Sequence, residues 1–297
     1  MATAPTRYES SEEDSARWTG FPFRDGDIVI STRSKSGTTW MQMICALLVF
    51  ERADFAEPLA RLSPWLDWKV TPIDEVVATL QAQQHRRFIK THTPLDGLPL
   101  DGRATYIVVA RDPRDMYISL YHQGDNIDRS AVRRMLGQLE PDNPEAEPAR
   151  QTLADALQAW IDGDASPEQS MDSIRGVFHH LTDGWQRRHD ANVVLVHYDD
   201  LLRDLDGQMR RIADRLGFEV PEHRWSALVD AATFATMRVR AKTLVPGREG
   251  VLKDVNAFFR QGRSGGWREL LTDEEVAHYD ERADTLAPSD LVEWLHR

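Results

Sequence analysis

Four short runs of nearly continuous apolar residues constrain this chain most: Asp27-Ile28-Val29-Ile30-Ser31, Phe88-Ile89-Lys90-Thr91, Tyr106-Ile107-Val108-Val109-Ala110 and Val193-Val194-Leu195-Val196-His197-Tyr198. A half-buried strand alternates apolar and polar residues; a run without alternation must be covered on both faces, the condition of a parallel sheet between layers of helices. Helical patterns lie between and after the runs, among them Thr39 to Phe50 and Leu205 to Leu216, the latter stopped by Gly217. Strand then helix, repeated, predicts an α/β fold with right-handed crossovers. With 297 residues and 41% hydrophobic content the chain can bury one large core or two small ones. No repeat and no linker-like tract divides it, so the expectation is a single domain over 1–297 with a central parallel sheet. Residues 1–24, mostly Ser, Glu, Asp and Arg before Trp18, Phe21 and Phe23, read as a flexible arm. The stretch from about 124 to 180, which includes Glu140-Pro141-Asp142-Asn143-Pro144, reads as an insertion covering one edge of a site.

The formal charge of −12 excludes general nucleic-acid affinity, which needs a surplus of lysine and arginine. Any anion site must be a local pocket. The single cysteine, Cys45, sits in the apolar run Met43 to Leu48 and reads as a small buried hydrophobe; no intramolecular disulfide is possible. Met1 to Gly20 is polar and carries no leader pattern, and no apolar stretch approaches a membrane span. These features predict a cytoplasmic protein without stable membrane insertion.

The first run leads directly into Ser34-Lys35-Ser36-Gly37-Thr38-Thr39-Trp40, which opens a helix. A helix start presents outward N–H groups and the positive end of the helix dipole, so it favours an anion. Gly37 lets the main chain approach a phosphate, Lys35 adds a point charge, and Ser36, Thr38 and Thr39 add hydroxyl donors. A nucleoside-triphosphate loop has its lysine after a second glycine. Here the lysine comes first and the upstream glycine is missing, an order that suits a single 5′-phosphate. Trp40 offers a face to a nucleobase.

These residues resemble the K-S-G-T-T-W hallmark of the cytosolic-type sulfotransferase family, which uses 3′-phosphoadenosine 5′-phosphosulfate (PAPS) and releases the bisphosphate PAP. Three further segments agree in order: Lys90-Thr91-His92 with Pro94 resembles K-T-H-x-P; Ala110-Arg111-Asp112-Pro113-Arg114-Asp115 through Ser119 resembles A-R-[ND]-P-x-D; Phe259-Arg260-Gln261-Gly262 with Gly265 and Trp267 resembles the closing R-K-G-x-x-G-D-W. The resemblance covers roughly residues 25–285 with a divergent middle, and implies a phosphate-binding strand-loop-helix of the P-loop-like sulfotransferase fold. Within the family the flanking sequence is most similar to actinobacterial members linked to glycolipid sulfation.

In-line displacement at sulfur needs a base for the attacking hydroxyl and a cation for the leaving phosphate. The resemblance assigns the base to His92, whose imidazole can take a proton near neutral pH. It assigns the bridging oxygen to Lys35 and the sulfuryl oxygens to Lys90. Arg111, Ser119, Arg260 and Gly262 match the family's grip on the 3′-phosphate, for which a guanidinium fork is suited. Trp40, Tyr198 and Phe234 match its adenine contacts. No metal is required by this chemistry.

Three departures stand out. Arg33-Ser34 precedes the loop where many relatives have Tyr-Pro, Gln261 replaces a lysine, and Gly266 replaces an aspartate. The stretch Arg268 to Asp273 lacks the valine and glutamate of the dimerisation segment of animal relatives, which leaves the oligomeric state open. Two other classes share the layout: a P-loop-type nucleotide kinase, which predicts a magnesium ligand set, and a non-catalytic phosphoadenosine-binding module, which would tolerate loss of His92. The acceptor is not legible. Phe21, Phe23, Trp65, Leu66, Trp68, Trp160 and Phe178 suggest apolar walls and a hydrophobic alcohol, phenol or glycolipid.

Overall fold

The apolar runs become four strands, β1 (Ile28–Thr32), β2 (Phe88–Thr91), β3 (Thr105–Ala110) and β4 (Val193–His197). The computed structural model describes residues 4–138, 151–245 and 250–297. All strands pair in parallel in the order β2-β1-β3-β4. Successive side chains point to opposite faces of a sheet. Ile28, Ile30, Ile107, Val109, Val194 and Val196 enter a core shared with α1 (Thr38–Phe50) and the helices Leu205–Leu216 and Glu222–Ala232. Val29, Ile89, Tyr106, Val108 and Val193 enter another, with Trp18, Phe21 and Phe23. Asp27 and Arg87, each 1% exposed, form an ion pair where β1 and β2 begin, with Nε 2.8 Å from Oδ1. Slipping the register by one residue would strand both charges in the core.

From β1 the chain crosses to β2 on one side, then returns past β1 to β3 on the other. The strand order reverses beside β1, and at such a point the loops leaving the carboxyl ends part to form a crevice. Arg33 to Gly37 follow β1, His92 follows β2, Arg111 follows β3 and Tyr198 follows β4. One end of the sheet thus collects all four.

The segment expected to be a flexible arm is anchored by buried residues from Tyr8 onward, with exposed polar residues between them. Trp18 is fully buried, stacked on Phe23 and edge-on to Phe21, and the Arg17 guanidinium donates to the Thr71 carbonyl at 2.7 Å. The reason is the aromatic content near its end: these rings complete the cover of the second sheet face, and full burial of each such side chain is worth roughly 1.5–3 kcal/mol. The stretch expected to be an insertion divides. Its helix Ile174–Gln186 packs on β3 and β4 as part of their crossover, and with Pro113–Asn126 and Leu153–Ile161 encloses a core around Met116, Leu157, Phe178 and Tyr279. The run Glu140 to Pro144 lies outside the described residues. Among the described residues no helix is long and apolar enough to cross a membrane.

Candidate active site

Beyond the carboxyl ends of the strands lies a cavity of about 1390 Å³. At its floor the chain leaves β1 and turns into α1 through two residues in the left-handed region, Lys35 at φ 63° and Gly37 at φ 107°. For lysine this backbone costs roughly 1–2 kcal/mol, a strain of the kind stored at ligand loops. At position 37 a Cβ would also stand 3.0 Å from the Tyr198 ring, so space and backbone both demand glycine. Gly37 has no capping side chain. The N–H groups of the first turn, which lack intrahelical acceptors, are left for an anion. Ser36, 3% exposed, belongs to the turn itself, donating its N–H to the Arg33 carbonyl at 3.2 Å.

Four cations converge on this loop. Lys35 Nζ lies 4.0 Å over the Phe258 ring and 3.4 Å from Gln123 Oε1. Burial, then Arg111, Lys90 and Arg260, push its ammonium down to about 7. Lys90, at 4% exposure, sits 3.5 Å over the Trp65 ring, and burial pushes it to about 8. Arg111 donates to the Lys35 carbonyl at 3.1 Å and to the Arg263 carbonyl at 2.9 Å, while its Nε is buried with no partner among the described residues. Burial and its neighbours Arg111 and Arg263 lower Arg260. Like charges that depress one another make a site that is incomplete without an anion of more than one charge.

Asp112, next to Arg111 in sequence, is committed elsewhere: it caps the helix Pro113–Asn126 and takes Arg114 in a bidentate pair at 3.0 and 2.8 Å. Arg111 therefore stays with the cavity. On that helix Ser119 lines the cavity, and Asp115 holds the segment that carries Arg260 by accepting the Gly265 and Gly266 N–H groups at 2.6 and 2.8 Å.

His92 is 4% exposed. Its Nδ1–H donates to the Thr32 carbonyl, which fixes the tautomer and leaves the Nε2 lone pair for a proton. Burial, then Lys90 and Arg33, push the imidazole well below its ordinary value, so it is neutral at pH 7. Trp65 meets it edge-on, centroids 4.7 Å apart, and Arg33 donates to its carbonyl oxygen.

A cleft of rings completes the other end. Trp40 is tied by Nε1 to the Ala232 carbonyl at 2.8 Å and stands edge-on to Tyr198 at 5.2 Å. Gly262, at φ 61°, lies flat on Phe234; a Cβ there would come 2.4 Å from the ring.

The cavity brings together Lys35, Gly37, Thr38, Thr39, Trp40, Lys90, His92, Arg111, Ser119, Tyr198, Phe234, Arg260, Gln261 and Gly262. Trp65 and Trp68 line it as expected, whereas Phe21, Phe23, Leu66, Trp160 and Phe178 are core residues away from it. The arm reaches it instead through Ser10 to Glu13. Sequence reasoning also missed the part taken by Arg33, which is 2% exposed and joins the His92 carbonyl to Asp172, its Nη2 2.6 Å from Oδ1. Its only signal was the departure from Tyr-Pro.

Comparison with known proteins agrees with this geometry. The family model described as sulfotransferase domain matches residues 25–295. Glycolipid sulfotransferases of Mycobacterium bovis and Mycobacterium tuberculosis are 40% identical over 305 residues and 41% over 304, in each case 97% of this chain and 93% of the relative. Among solved structures, retinol dehydratase in a complex with retinol and PAP superposes with a TM-score of 0.67 at 22% identity, covering 92% of this chain and 84% of that one. A mouse sulfotransferase complexed with PAP gives 0.67 at 22%, covering 94% and 91%. The family-model match and the two mycobacterial relatives place this chain in the sulfotransferase family, whose reaction is transfer of a sulfuryl group from PAPS to an acceptor.

Proposed function

We propose that the cavity transfers the sulfuryl group of PAPS to a hydroxyl of a glycolipid, with His92 as general base and Lys35 and Lys90 as the electrostatic partners of the transition state. The observation that carries this reading is the placement of one neutral, tautomer-fixed imidazole beside four converging cations at the carboxyl end of a parallel sheet. The donor set fits the ligand: the first turn of α1 and Lys35 suit the 5′-phosphate, Arg111, Arg260, Ser119, Gln261 and the Gly262 backbone the 3′-phosphate, and Trp40, Tyr198 and Phe234 the base. As the acceptor oxygen forms its bond to sulfur, its proton passes to His92 Nε2. The bond between sulfur and the phosphate oxygen breaks, and Lys35 meets the charge left on that oxygen. The names of the mycobacterial relatives support a glycolipid acceptor, as does the mixed lining of Trp65, Trp68, Glu13 and Asp172 on the His92 side.

The test is transfer from labelled PAPS to a panel of phenols, alkanols and glycolipids. His92→Ala should lower turnover by about 10²–10⁴-fold and Lys35→Ala by about 10²–10³-fold, while His92→Ala still binds PAP. Wild-type turnover in His92→Ala would remove the proposed base.

A further inference from the structure

We infer that Glu13 is an acceptor-binding residue that takes up hydroxyl groups beside the one to be sulfated, and thereby selects a polyhydroxylated acceptor over a simple alcohol. The inference rests on the reading of the cavity as a sulfuryl-transfer site for a glycolipid.

The backbone of Glu13 is fixed from both sides. Its N–H donates to Ser10 Oγ at 3.0 Å and its carbonyl accepts from Ser10 N at 2.8 Å. It forms a backbone bridge with Trp68, and Lys69 N to Glu12 O (2.7 Å) and Asp14 N to Asp67 O (2.9 Å) hold the residues around it. Its side chain is half-buried and lines the cavity, yet among the described residues the carboxyl oxygens have neither a hydrogen bond nor an ion pair. A carboxyl carried on so rigid a backbone, open to the cavity and spent on no partner among the described residues, is left for what the cavity binds.

The position is close to the chemistry. Trp68, the bridge partner, stacks on Trp65 at 5.0 Å, and Trp65 packs against both His92 (4.7 Å) and Lys90 (3.5 Å). Arg33, Lys90, Asp67 and Asp172 are the charges that face Glu13. Asp67, fully buried, spends Oδ2 on the Thr91 and Thr93 hydroxyls at 2.5 and 2.6 Å and has no partner for Oδ1 among the described residues. The charges around it are two of each sign and balance, so a neutral donor such as a hydroxyl suits the carboxyl better than a further ammonium. Burial raises the Glu13 carboxyl to about 8, and a protonated acid both gives and accepts a hydrogen bond, as a pair of sugar hydroxyls requires. A site built around a hydroxyl discriminates strongly against an analogue without it.

The experiment compares hexyl β-glucoside with 1-hexanol on the full chain. Binding to the PAP-loaded protein is followed by calorimetry and kcat/KM by label transfer, in wild type, Glu13→Ala and Glu13→Gln. Wild type should prefer the glucoside, Glu13→Ala should cut that preference by at least ~10-fold, and Glu13→Gln, whose amide also donates and accepts, should keep most of it. Equal PAP affinity in the three proteins certifies that the variants are folded. An unchanged preference in Glu13→Ala, or wild-type PAP complex that binds neither probe or favours hexanol, overturns the inference and leaves the donor reading standing. Wild type that fails to bind PAP removes that reading, and the inference with it.

Discussion

At the scale of single residues, Lys90 is held charged at a cost. Its ordinary value of 10.5 falls to about 8 in the fold, chiefly by burial. A folded value below the unfolded one means that the unfolded chain binds the proton more tightly. At pH 7 the charge therefore subtracts from stability. Lys90→Met should raise the stability of the ligand-free protein by about 1–3 kcal/mol, read as a higher melting temperature, while transfer falls ~10²–10³-fold. A lower melting temperature would show that the contact with Trp65 outweighs the buried charge. Lys35, Lys90, His92 and Arg111 were legible in the sequence because each sits in or just after a strand-like run, and a parallel sheet gathers such residues at one end. Glu13 was not legible. Its neighbours Asp67 and Trp68 lie far along the chain, and only their pairing brings it to the cavity.

At the scale of elements, the helix Pro113–Asn126 does two jobs with its N-cap and first turn. Asp112 and Arg114 close on each other, and Arg114 also lies under Trp267 at 3.6 Å; Asp115 grips Gly265 and Gly266. This carboxylate thus anchors the segment bearing Arg260, Gln261 and Gly262, together with Arg111 at the Arg263 carbonyl and Asp199 at the Ser264 hydroxyl. Asp115→Asn keeps the shape but leaves one oxygen to accept where two did. It should weaken PAP binding by about 10-fold, the effect of roughly one charge-assisted hydrogen bond, as measured by calorimetry; an affinity equal to wild type would assign the segment's placement to Trp267 instead. Gly266, which stands where an aspartate is usual, fits here through its N–H rather than a side chain. The strands and the helices Thr38–Phe50 and Leu205–Leu216 were readable to within about a residue, because period and stop signals are local. The packing of residues 8–23 and the division of 124–180 were not, because long-range burial decides them.

For the whole molecule, acid is the weak side. His92 and His180 are both buried and pushed well below the ordinary histidine value of 6.5. Below that value the unfolded chain binds protons that the native state refuses, so each such histidine removes about 1.4 kcal/mol of stability per pH unit until its folded value is reached. His179 acts the other way: Asp96, 3.1 Å away, raises it, so its contribution is present at low pH and lost as pH rises through its folded value. His197 and His296, lowered chiefly by burial, act with the first two, and Glu13, raised to about 8, acts with His179. Four against two predicts a urea midpoint that falls between pH 7 and pH 5.5, less steeply in His180→Gln, and a midpoint independent of pH would mean that the opposing groups cancel them.

The reversal of strand order beside β1 gives this molecule a front and a back. The loops that leave the four strands meet the cavity at the front, while the turns that enter the strands, such as Asp101-Gly102-Arg103 before β3, lie behind, and at Gly102 an added Cβ would meet nothing within 4 Å. On the proposed reading an acceptor enters the cavity from the front, and its approach asks nothing of the rear. That surface is free to be tethered to a bead, a fusion partner or a sensor chip with the mouth still facing outward.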